Sequence, residues 1–253
     1  METISISRVK SYLACPLKYK FEHVDKIPKP WRAAALAFGS SVHAAIEWFH
    51  KERIAGCTPI LPAVLSVFNA DWYAQNVEPL VFADKDSKES LAEKGRELIR
   101  LYVEQAGSKP PIAVETPFEV ELHDPVTGEV LDVVLRGRFD IVEEENVLVD
   151  VKTAARTIDD RGIVQHLQLS AYALASLLLR QQIPRLRLDQ LLKTKQPRIE
   201  RHETARTVED LAWTAHLIQR VAGSIASGHF YPNPGWICGE CEYFAHCQAW
   251  RGD

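Results

Sequence analysis

The chain has 253 residues, 46% of them hydrophobic, enough to bury a full core as one domain. Its formal net charge of −4 excludes a nucleic-acid binder that is basic all over, though not a local basic groove. No apolar run approaches a membrane span, Met1–Ile4 carries no basic leader, and five cysteines in such a chain are not a disulfide framework, so the sequence reads as cytoplasmic, with no membrane partner.

In chain order, a first helix is predicted over Ser7–Phe21, with Ser7 as its cap and Pro16 interrupting it. The connector Ile27-Pro28-Lys29-Pro30 follows. Phe38–Ala55 has Val42, Ile46 and Phe49 at helical spacing, and Pro62–Gln75 and Ser87–Gln105 are again amphipathic. Together these make a helical region over about 31–108. Strand character runs from Ile112 to Val151, with Asp124-Pro125-Val126-Thr127-Gly128 as a hairpin turn. A helix over Ile163–Gln182, a strand over Leu186–Lys193, a turn at Gln196-Pro197 and a helix over Val208–Ser227 complete the pattern. Strands, then a helix, then another strand describe an α/β core carrying a helical insertion in a single domain.

Gly137-Arg138-Phe139-Asp140 is followed ten residues on by Asp150-Val151-Lys152, across the polar turn Glu143-Glu144-Glu145-Asn146. Antiparallel pairing would set Asp140 and Asp150 side by side, where like charges repel unless a cation lies between them. A side-chain period of two puts Lys152 on the face of Asp150, where an ammonium can orient water or stabilise charge on a phosphate. A solvated hairpin with an Asp–Lys pair would account for these residues alone equally well.

Other residues are ambiguous in isolation. His43, in Gly39-Ser40-Ser41-Val42-His43, sits at the edge of an apolar stripe, where histidines commonly pack or cap. Gln168 and Tyr172 share a helical face, as they would on any amphipathic helix. Glu115 fits an edge-strand surface as well as a site. Cys238-x2-Cys241-x5-Cys247 signals a metal, either zinc, with His229 or His246 available as fourth ligand, or an iron–sulfur cluster. Cys15 stands alone near the N-terminus and Cys57 belongs to neither group. Arg180–Arg206 holds eight basic residues, Lys193 and Lys195 among them, against three acidic ones, and so offers a phosphate-binding face.

Taken in order, His43, Asp140, Asp150, Lys152, Gln168 and Tyr172 resemble the RecB-like branch of the PD-(D/E)XK nuclease superfamily. The resemblance implies a restriction-endonuclease-like mixed β-sheet flanked by helices. It implies Mg²⁺ or Mn²⁺ held by His43, Asp140, Asp150 and the Val151 carbonyl, with Lys152 positioning the attacking water and Gln168 and Tyr172 lining the site. It further assigns Cys15, Cys238, Cys241 and Cys247 to a [4Fe–4S] cluster pinning the chain ends, as in the AddB and CRISPR-associated RecB-like exonucleases, with zinc the alternative. The implied activity is two-metal-type hydrolysis of DNA at ends or in single strands, with DNA as partner and, in such pathways, DNA-repair or CRISPR integration proteins. Alternatives are a CRISPR-associated nuclease that trims DNA before integration and a non-catalytic DNA-binding scaffold subunit. Nothing in the chain resembles a base-reading module, which favours an exonuclease over a site-specific endonuclease.

Overall fold

A computed structural model describes residues 2–75, 79–83 and 85–252. Its centre is a six-stranded mixed sheet built around the long strand β5 (Val130–Glu143). Along one edge of β5 runs β4 (Ala113–His123), antiparallel and joined to it by a turn that Asp124 closes by accepting the Val126 and Thr127 N–H groups. Pro117 is tolerated in β4 because this strand pairs on one side only. The opposite edge of β5 is shared. The N-terminal strand β1 (Glu2–Ser5) pairs in parallel with Val133–Arg136, and β6 (Val147–Ala154) pairs antiparallel with Ile141–Glu143. Between them residues 137–140 of β5 have no ladder partner on that edge among the described residues, and a gap opens in the sheet.

Beyond β6 the sheet continues with β7 (Arg185–Leu192), parallel to it, and β8 (Arg198–Thr204), antiparallel to β7. The parallel β6–β7 step requires a crossover, supplied by α6 (Asp160–Val164) and α7 (Leu167–Arg180). On one face, α1 (Ile6–Ala14), α7 and α8 (Val208–Ala226) bury Val9, Leu174 and Ile218 against Leu135, Leu148 and Leu188. On the other, α3 (Ala34–Ile54), α4 (Leu61–Ala74) and α5 (Lys88–Glu104) bury Phe38, Phe68 and Leu98 against Ile141, Val149 and Leu191. The helical region over 31–108 is therefore the second layer of an α/β/α sandwich and shares its core with the sheet. Two short strands, β2 (Arg32–Ala33) and β3 (Leu80–Val81), pair within this layer.

Several sequence expectations are corrected. The first helix is capped by Ser5, whose hydroxyl accepts the Arg8 N–H, and not by Ser7. It breaks at Cys15, with α2 (Pro16–Tyr19) and a π-helical turn over Lys20–Val24 continuing the path. β1 and β8 were not foreseen. β1 is four residues long, and β8 has one apolar side chain, Ile199, in seven, so pairing rather than composition makes both strands. The stretch 160–180 is long and apolar enough to cross a membrane, closer to a span than the sequence reading allowed. It is two helices broken at Gln165–His166, however, and Leu169 to Ser176 are buried in the core.

Candidate active site

Asp140 stands in the gap between β1 and β6. Its Oδ2 accepts the Val151 N–H at 2.9 Å, replacing the ladder partner lost where β5 and β6 part. Its Oδ1 accepts the Tyr172 hydroxyl at 2.8 Å. Tyr172 is fully buried, edge-on to Phe139 with ring centroids 5.2 Å apart, and its hydroxyl also bonds Gln168 one turn earlier on α7. Burial and the neighbouring carboxylates Asp140 and Asp150 hold this phenol well above its ordinary range, so it remains a donor.

α3 brings His43 in from the other face. Gly39 lies one turn before His43, and a Cβ there would stand 3.3 Å from Thr153 Oγ1, so the missing side chain lets the helix run close over β6. The His43 Nε2–H donates to the Val151 carbonyl at 2.6 Å, which leaves Nδ1 turned toward Asp140, 4.0 Å from its Oδ2. Burial lowers the His43 pKa, which favours the neutral imidazole that can act as a ligand.

Glu115 completes this group. It faces Asp140 across β4–β5 where the register omits a pair, and its φ of +46° is left-handed, uncommon for a non-glycine residue. One ligand atom from each of His43, Glu115 and Asp140 lies within 4.8 Å of the others, an arrangement that could hold a metal ion. Burial, and then the Asp140 charge, push the Glu115 carboxyl up to about 7.

Asp150 is fully buried, and neither of its oxygens has a hydrogen-bond partner among the described residues. Lys152 Nζ forms an ion pair with Oδ1 at 3.1 Å, and His166 Nε2 is 4.0 Å from Oδ2. Burial raises the Asp150 pKa, and Lys152 opposes it. Burial works against the Lys152 ammonium too, but Asp150 and Asp140 outweigh it and hold the lysine above its ordinary value, hence charged. Lys10, exposed on α1, also feels this site: partial loss of hydration and then the Lys152 charge lower its pKa, while Asp150 raises it. Three carboxylates, Asp150, Asp140 and Glu115, crowd one lysine, and Asp150 Oδ2 is buried without a hydrogen-bond partner among the described residues. Such a donor set lacks positive charge, and a hard divalent cation fits it.

The sequence left Glu115 without a role and missed His166 and Lys10. His166, two residues before Gln168, could have been suspected as the residue that starts α7. Lys10 carried no signal, because its relevance depends on where α1 docks.

The four cysteines converge elsewhere. Cys15 lies between α1 and α2, Cys238 and Cys241 in a tight turn, and Cys247 in α9 (Phe244–Ala249), and all four line one cavity of ≈210 Å³. The Gly235 N–H points at Cys238 Sγ at 3.4 Å. Burial and then the neighbouring cysteines Cys15, Cys241 and Cys238 raise the Cys247 pKa, a cost that a bound cation would relieve. Four soft donors on one cavity suit iron–sulfur or zinc. Cys57 is exposed and outside this group.

The basic stretch is largely neutralised within the fold. Arg187 pairs with Glu143 and Asp189, Arg185 with Glu203, and Arg198 with Glu200. Lys193 lies with its ammonium 5.5 Å from the Phe38 ring centroid and 3.8 Å from Asp86, its side chain only 11% exposed, whereas Lys195 is exposed. Lys193 is thus held by its neighbours rather than presented to solvent.

A mixed sheet between two helical layers, with acidic residues and a lysine at a split between central strands, defines a restriction-endonuclease-like fold. The chain belongs to the PD-(D/E)XK nuclease superfamily, whose family model matches residues 3–248. A solved structure described as a candidate exonuclease from Eubacterium rectale aligns over 99% of this chain and 88% of that one, with a TM-score of 0.62 and 16% identity, which speaks for the fold alone. A second, that of SSO0001, aligns over 96% of both chains at 16% identity, with a TM-score of 0.40, too low to bear on the fold. Among proteins of curated function, none matches the sequence.

Proposed function

We propose that this chain is a metal-dependent DNA nuclease of the RecB-like kind, an exonuclease acting on DNA ends or single strands by two-metal-type hydrolysis. The observation that carries the reading is the fully buried Asp150, whose one close partner among the described residues is the Lys152 ammonium, gathered with Asp140, Glu115 and His43 at the split of the sheet. Asp140, Asp150, Glu115, His43 and the Val151 carbonyl would hold the divalent cation. Bound there, it supplies positive charge at the phosphate and makes hydroxide available near neutral pH.

The chain's own residues do the positioning. Tyr172 and the Val151 N–H clamp Asp140 from two sides, so its carboxylate cannot swing away from the gap. Gln168 orients the Tyr172 hydroxyl. Lys152 keeps its proton, and so acts as a fixed cation beside the phosphate and a hydrogen-bond donor to the attacking water, not as a base. The four-cysteine cavity between the chain ends would, by the RecB-like resemblance, hold a structural [4Fe–4S] cluster, with zinc the alternative its donors equally suit.

The test is cleavage of end-labelled single- and double-stranded DNA, and of closed circular DNA, by the purified protein. Linear DNA should be degraded with Mg²⁺ or Mn²⁺ and not with EDTA, and circular duplex should persist. Asp150→Ala and Lys152→Ala should each lower cleavage at least about 100-fold. Their melting temperatures should stay near wild type, since Asp150→Ala removes a buried carboxylate that lacks hydrogen bonds. Near-wild-type cleavage by either variant would end the nuclease assignment.

A further inference from the structure

The side-chain period of two sets Arg136, Arg138 and Asp140 in a row on one side of β5, while Leu135 and Phe139 turn into the core on the other. Arg138 is exposed, and among the described residues it makes no ion pair and no hydrogen bond. Its neighbour across β4 is Pro117, which carries no charge, and on the other edge it falls in the gap between β1 and β6. The guanidinium donors are therefore all available. Arg136 differs, because Glu119 stands directly opposite it. A shallow hollow of ≈460 Å³ opens here beside the end of β1, lined by both arginines, Pro117 and Glu119. Glu119 offsets Arg136, so the uncompensated charge is that of Arg138.

Arg138 is tied to the candidate site by the strand itself, two residues from Asp140. Its charge is also felt there: burial, Asp140 and then Glu47 raise the Glu115 pKa, and Arg138 is the first influence to oppose them. Two residues of strand span about 7 Å, close to one nucleotide of an extended chain. A phosphate held by Arg138 would thus lie one step from a phosphate at Asp140. The planar fork of an arginine matches two oxygens of one phosphate, and no packing or pairing within the chain accounts for this side chain.

We propose that Arg138 binds the phosphate next to the scissile one, so that the strand being cut runs along this side of β5 from the gap toward Arg136. The proposal rests on the nuclease reading above. Every nucleotide offers a phosphate, so the contact fixes the register of the strand and carries no sequence preference.

The first test is binding of fluorescein-labelled oligothymidylate to the full-length protein in EDTA over a range of salt. Arg138→Ala should weaken binding about 5- to 30-fold. It should also flatten the slope of log affinity against log salt by about 0.7, the share of one phosphate contact on a single strand. Arg138→Lys should keep the slope and recover part of the affinity, and Arg136→Ala should lose less than Arg138→Ala. The second test is cleavage, with Mn²⁺, of oligothymidylates that each carry one uncharged methylphosphonate linkage. A neutral linkage beside the cleaved one should slow the wild type. Arg138→Ala, already slower on the unmodified strand, should show little added loss. All three variants should melt with the wild type, since both side chains are exposed. Equal affinity and slope in Arg138→Ala, an equal loss in Arg136→Ala, or an equal neutral-linkage penalty with and without Arg138 would overturn the contact while wild-type cleavage stands. A wild type that neither binds nor cleaves DNA would instead remove the nuclease reading, and the contact with it.

Discussion

Tyr172 joins a fully buried ring to a hydroxyl that reaches the carboxylate at the split of the sheet. Tyr172→Phe keeps the packing on Phe139 and Phe118 and removes one hydrogen bond to a charged acceptor, worth about 1.5–3 kcal/mol. The expected result is a fall in cleavage of roughly tenfold or more with a folded protein, together with weaker Mn²⁺ binding measured by calorimetry. Unchanged Mn²⁺ affinity would show that Tyr172 does not hold Asp140 for the metal. At this scale the sequence was informative where chemistry and spacing coincide. Asp140, Asp150 and Lys152 stand out by spacing, and it is their order with His43, Gln168 and Tyr172 that favours a site over a solvated hairpin. Glu115 does not stand out, because its entry depends on a left-handed backbone step opposite Asp140 that no local residue preference demands.

Among the elements, the β4–β5 turn was legible from Asp124 to Gly128, but its tie to α8 was not. His216 on α8 sits with Nε2 2.8 Å from Asp124 Oδ2. The hydrogen bond to His216 and those from the turn hold the Asp124 carboxyl down at about 2, and the same pair raises the His216 pKa above its ordinary value of 6.5. A raised histidine contributes stability that is fully present below about pH 6.5 and is lost as pH rises through the folded value. A depressed carboxylate contributes above about pH 4 and loses it as pH falls toward 2. The pair therefore stabilises the fold most between those limits. The wild-type melting temperature should decline from pH 6 to pH 8 by more than that of His216→Ala, and parallel curves would discount the pair. β8 shows the limit of pattern reading: it alternates charges, Arg198, Glu200 and His202 against Arg201 and Glu203, and becomes a strand because β7 offers an edge.

Across the whole molecule, the two chain ends are joined by more than the cysteines. The Leu17 N–H donates to the Tyr231 carbonyl, Tyr12 to that of His229 and Tyr243 to that of Ile27, while Lys18 pairs with Glu242 at 2.8 Å. A cluster across Cys15 and Cys247 would close a loop of more than two hundred residues, where the entropy removed from the unfolded chain is large. Protein purified without oxygen should be brown, with about four irons per chain. Cys15→Ala should lose the iron and melt lower, while Cys57→Ser, at an exposed thiol, should keep both. One zinc per colourless chain, or iron retained by Cys15→Ala, would show the cavity to be another kind of site.

The sequence by itself determined the α/β class, most of the helices, the carboxylate–lysine motif and the grouping of three C-terminal cysteines. All of these rest on periodicity, turn chemistry or short spacing, which are local properties of a chain. Only the tertiary structure decided that Glu115 stands beside Asp140 and His43, that His166 and Lys10 stand near Asp150, and that Lys193 is taken up by Phe38 and Asp86. It also decided that β1 and β6 share one edge of β5 and leave Asp140 in the gap between them. Those placements follow from strand pairing and helix docking between segments far apart in sequence, where the free energy lies in contacts that no single segment contains.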